Sequence, residues 1–130
     1  MSRAIALIAF LVLAGCASLR ETPPMDPAAL AALEANVPRC STARNCALMW
    51  SAARNWVTSS CGMRIQTISE DFIETYGSID TAAACRVTRD PDPLGGYSFH
   101  VVVSYANHFM PQPWPMVRQF QAVVSAAGAL

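Results

Sequence analysis

Four cysteines at positions 40, 46, 61 and 85 constrain this chain most, because the stretch between the second and third reads as one helix. Ser41, Thr42 or Asn45 can cap it. From there to about Ser59 the positions Cys46, Met49, Trp50, Ala53, Trp56 and Val57 fall on one stripe, while Arg44, Ser51, Arg54 and Asn55 face away. Such a helix holds Cys46 and Cys61 about 20 Å apart at 1.5 Å per residue, far beyond the roughly 7 Å limit between bridged α-carbons. Cys46 therefore cannot pair with Cys61.

Strand signals follow. Residues 63–68 alternate weakly, Ser69-Glu70-Asp71 makes a turn, and residues 72–76 are rich in β-branched and aromatic types, so a hairpin is expected. Residues 85–89 read as a third strand, and 90–96, with two prolines and two glycines, as a loop. Residues 97–105 alternate most clearly: Tyr97, Phe99, Val101, Val103 and Tyr105 point one way, Ser98, His100, Val102 and Ser104 the other. Pro115 then suits a helix start, with Met116, Phe120, Val123, Val124 and Ala127 as its apolar stripe. The order α-β-β-β-β-α predicts an α+β two-layer sandwich, a four-stranded antiparallel sheet with both helices on one face. In an up-and-down sheet the first and third strands start at the same end. The preferred bridges are thus Cys61 with Cys85 and Cys40 with Cys46. A zinc site is the poorer reading, since the intervals hold no C-x-x-C pair and no nearby histidine.

An even set of cysteines in a small domain points to an oxidising compartment, and the amino terminus agrees. Arg3 precedes 11 apolar residues, positions 4–14, within the length of a secretion signal and too short to span a bilayer as a helix. The run Leu13-Ala14-Gly15-Cys16 resembles the lipobox of bacterial lipoproteins, in which the cysteine is acylated and becomes the first mature residue. That resemblance implies a membrane partner through a lipid anchor on Cys16. With Ala17 rather than Asp next, it implies delivery to an outer membrane, facing the periplasm.

The expected organisation is a signal peptide over 1–15, a lipidated cysteine, tether and short helix over 16–39, and a disulfide-stabilised domain over 40–130. Residues 17–25 are polar and hold Pro23 and Pro24, an extended tether reaching roughly 30 Å at about 3.3 Å per residue. Asp26 then caps a short helix with Pro27 at its first position and Leu30, Leu33 and Val37 at helical spacing, either a spacer or docked on the domain. All nine basic residues are arginine, and loss of Arg3 leaves eight against nine acidic residues, so no electrostatic footprint for nucleic acid exists.

Enzyme and cofactor motifs are absent: no G-x-S-x-G, H-E-x-x-H, P-loop or G-x-G-x-x-G occurs. Glu70 and Asp71 sit at a hairpin tip, where a solvated turn explains them better than acid and base roles. Two surfaces remain for binding. The wet sheet face carries Arg64, Gln66, Arg86, Thr88, Ser98, His100, Val102 and Ser104, which a solvated face also explains. The proline-stiffened segment 107–115 carries Phe109, Met110 and Trp114, either an interface or a lid over the core edge.

The run Trp50, Ala53, Trp56-Val57, Ile65-Gln66-Thr67, Ile73-Glu74-Thr75-Tyr76, then Asn107 and Phe120, resembles a family of small lipoproteins of Gram-negative bacteria. Its motifs are structural rather than catalytic. The expected function is a non-enzymatic, lipid-anchored envelope domain that binds or scaffolds another envelope protein. One alternative is a periplasmic inhibitor of a hydrolase such as lysozyme, and a weaker one an enzyme using His100 or His108.

Overall fold

A computed structural model describes residues 25–106 and 113–130. The leader, Cys16, His108, Phe109 and Met110 lie outside the described residues. The elements are α1 (Pro27–Ala35), β1 (Arg39–Cys40), α2 (Ala43–Ser60), β2 (Ile65–Ile68), β3 (Phe72–Thr75), β4 (Ala84–Pro91), β5 (Tyr97–Ser104) and α3 (Trp114–Gly128). The class is α+β, as expected, but with five antiparallel strands and three helices rather than four and two. The sheet order is β1-β5-β4-β3-β2.

The long helix forms for the reasons its sequence gives. The Thr42 hydroxyl accepts from the Asn45 N–H at 3.2 Å, capping α2, and Cys46, Met49, Ala53, Trp56 and Val57 are buried along one side. On α3, Phe120 and Val124 are fully buried, and Phe120 meets Trp56 edge to face at 5.2 Å between centroids. These side chains share one core with Ile73, Cys85, Val87, Phe99 and Val103 of the sheet. Val123, expected inward, is instead 41 % exposed. Gln121 is buried in its place, its Nε2 donating to the Leu33 carbonyl at 2.8 Å. Leu33 is itself buried, so α1 is docked on α3 and belongs to the folded body.

Disulfides join Cys40 to Cys46 and Cys61 to Cys85, with α-carbons 5.1 and 6.1 Å apart. They tie both ends of α2 to the sheet. Cys40 lies opposite Tyr97, and Cys85 opposite Val103. The two anchor points are thus six residues apart along β5 and two strands apart across it, a diagonal of about 22 Å from strand rise and spacing. Fifteen residues of helix from Cys46 to Cys61 span about 22 Å as well. Rod and diagonal match, so neither end need distort.

The turn after β4 depends on a glycine. β4 runs on to Pro91, two residues past the expected loop boundary, because Asp90 and Pro91 still pair with Ser98 and Tyr97. Pro91 is tolerated at the strand's end, where the ladder stops. Asp92 then accepts from Gly95 N–H at 2.9 Å and donates its own N–H to Gly96 O at 3.0 Å. Gly96 has φ +79°, and a β-carbon there would lie 1.8 Å from the Cys40 carbonyl oxygen. At the far end, where the β3–β4 register stops at Glu74 and Arg86, the buried Thr75 hydroxyl accepts the Cys85 N–H at 2.9 Å.

Two stability outcomes follow in chemical denaturation. Gly96→Ala is expected to cost about 2–4 kcal/mol, combining a left-handed β-carbon with a backbone clash that pushes β1 off β5. Thr75→Val keeps the shape but strands the Cys85 N–H, and about 1–2 kcal/mol should be lost.

Candidate functional site

The outer face of the sheet gathers part of the expected polar display. Arg86 and His100 stand on neighbouring strands, Arg86 opposite Val102 and Thr88 opposite His100. Arg64 does not join them. It immediately precedes β2, with β3 and β4 between it and β5. Arg86 lies over the Phe72 ring at 5.3 Å, and its Nη1 is 3.7 Å from Glu74 Oε1. Both ends of that pair are about half exposed, so solvent screens it. Gln66, Glu74, Arg86, Val102 and Ser104 rim a shallow hollow of about 360 Å³.

A Ser–His–Asp relay needs the carboxylate on one ring nitrogen and the hydroxyl on the other. Here Ser98 Oγ lies 3.1 Å from His100 Nε2, and Asp90 Oδ2 lies 3.9 Å from the same atom. The Asp90 carboxylate also accepts from the Thr88 hydroxyl at 3.0 Å. Both neighbours thus approach the same ring nitrogen, which is not the relay arrangement. Among the described residues no group of three His, Cys, Asp or Glu side chains could hold a metal ion.

On the other face, the Arg89 guanidinium is held between two rings, 5.2 Å from the Trp50 centroid and 4.8 Å from that of Tyr97. Its Nε is buried without a hydrogen-bond partner, and Asp71 Oδ1 is 4.0 Å away. The arginine stem and planar head fill space beside α2, so Trp50 is a packing residue with a cationic neighbour. Arg89 also donates its N–H to the Asp71 carbonyl at 2.8 Å, joining β4 to the β2–β3 turn.

Trp114 falls elsewhere. It is the first residue of α3 and half-buried, and it lines a groove whose other walls are Leu30, Leu33 and Val37 beside α1, Val101 of β5 and Val117 of α3. The groove encloses about 190 Å³. Its apolar wall from α1 was visible only as helical spacing in the sequence. The spacing could not say that α1 docks, because the deciding contact joins residues 33 and 121.

Compared with known proteins, the chain matches no family model, and no curated protein and no solved structure is similar to it. The functional reading therefore rests on residues and geometry. Among the described residues no helix is long and apolar enough to cross a membrane.

In urea unfolding followed by tryptophan fluorescence, Arg89→Ala should lower stability by about 1–3 kcal/mol through lost stacking on Trp50 and Tyr97. Arg86→Ala should change it by less than about 1 kcal/mol.

Proposed function

We propose that this protein is a lipid-anchored, non-enzymatic domain of the bacterial cell envelope that binds or scaffolds another envelope protein. One coincidence carries the reading: a lipobox-like Leu13-Ala14-Gly15-Cys16 stands ahead of a small domain closed by two disulfides. Disulfides persist where the compartment is oxidising, and a secretion signal is the route there. Acylation of the Cys16 thiol would hold the domain at a membrane, since each buried methylene contributes about 0.8 kcal/mol and two anchoring signals already give stable attachment. Ala17 after the cysteine favours the outer membrane, with the domain in the periplasm. In a two-layer sandwich whose helices cover one sheet face, the other face and much of one strand edge are left uncovered by any strand among the described residues. The outer-face histidine supports binding better than catalysis, given its single-nitrogen contacts.

Expression in a Gram-negative host followed by membrane fractionation and intact-mass measurement tests this. The wild-type chain should sediment with membranes and carry acyl chains on Cys16 at a new amino terminus. Cys16→Ser should move it to the soluble fraction. An intact leader, or an unmodified thiol at Cys16, would overturn the anchoring.

A further inference from the structure

We infer that the open half of β5 takes up an extended segment of a partner protein as an added β-strand, with one bulky apolar side chain seated in the α1–α3 groove and a basic side chain against Glu34. This rests on the reading of the protein as a binding domain and names how it would bind.

The edge is open because β1 is only two residues long. It pairs Arg39 with Ser98 and Cys40 with Tyr97, and the Phe99 N–H still reaches the Pro38 carbonyl at 2.9 Å. Beyond Pro38 the chain turns into the cap of α1 at Asn36. Along an antiparallel strand, main-chain groups alternate sides, so Val101 and Val103 direct N–H and C=O the same way as Phe99, while the even residues serve β4. Among the described residues no strand lies on that outer side. Natural edges are blunted by proline, lysine, a bulge or a covering helix or loop. This part of β5 reads His100-Val101-Val102-Val103-Ser104, holds no proline, lysine or bulge and is paired in unbroken register to β4, and α1 flanks it across the groove.

The groove runs beside this same edge. Side chains of an added strand that point the way of Val101 enter it, where His100 also contributes to the lining, and the alternate ones lie beside the 63 % exposed Val102 on the outer face. Its volume of about 190 Å³ leaves room for one large apolar side chain. Glu34 is the one carboxylate in the lining, and no ion pair occupies it among the described residues. The complementary ligand is therefore uncharged and β-prone along its length, with a single basic residue at one end.

The probe is a panel of capped hexapeptides of alternating threonine and one apolar type (Leu, Val, Phe or Met), each with one terminal arginine. They are added to the full chain in detergent, and amide exchange is read by NMR. Bound peptide should slow exchange of the Val101 and Val103 amides at least tenfold and leave the Val102 amide, already paired to β4, unchanged. The same peptide N-methylated on alternate amides should give no protection. Leu30→Glu, at a side chain 44 % exposed, should weaken binding at least tenfold with melting temperature preserved, and Glu34→Gln should erase the preference for arginine over glutamate at the peptide end. No protection by any peptide up to several millimolar overturns the inference. So does protection of both amides without peptide in a chain that sediments as a dimer, since the edge would then belong to a second copy. A chain acylated at Cys16 that shows no protection loses this inference and keeps the anchoring.

Discussion

The structure depends on one rigid rod fixed at both ends. α2 is bound near its start through Cys46 to β1 and just past its end through Cys61 to β4. Its span between those cysteines equals the diagonal of the sheet beneath, about 22 Å by either route. A helix held at two points over a sheet has neither freedom to slide nor freedom to turn. The buried stripe from Met49 to Val57 must then face Ile73, Val87 and Phe99. In a small domain, where the apolar core alone yields a thin margin, the two crosslinks contribute by restricting the unfolded chain, on the order of 3 kcal/mol for the loop closed by Cys61 and Cys85.

The start of the chain's folded part decides which surfaces stay free. Because the residues before Arg39 turn at Pro38 into the cap of α1 at Asn36, β1 is confined to two residues at one end of β5, and the rest of that edge has no strand of the described chain upon it. α1 then packs against α3 through Gln121 and Leu33 and leaves a groove next to the open edge.

Local pattern was legible where a strong period met a clear signal. The α2 stripe, the Ser69 turn and the alternation through Tyr97, Phe99, Val101 and Val103 all appear in the structure. Helix length and strand order also led to the two pairs of cysteines that the structure joins. What stayed hidden was set at long range. β1 has two residues and no period to display. Asp90 and Pro91 look like loop by composition, yet Ser98 and Tyr97 draw them into the ladder. Gln121 is buried where it donates to Leu33 of α1, a contact 88 residues apart in sequence. Of the candidate site residues, Arg86 and His100 share a face, Arg64 stands apart, and Trp114 lines the groove rather than the polar face.

The clamp itself is open to one direct measurement, disulfide mapping by mass spectrometry after tryptic digestion without reduction. Cleavage after Arg39, Arg44, Arg54, Arg64 and Arg86 puts each of the four domain cysteines in a different peptide, so all three pairings are distinguishable. Peptide 40–44 is expected joined to 45–54, and peptide 55–64 to 65–86. A bridge between 45–54 and 55–64, or free thiols in protein folded under oxidising conditions, would contradict the clamp.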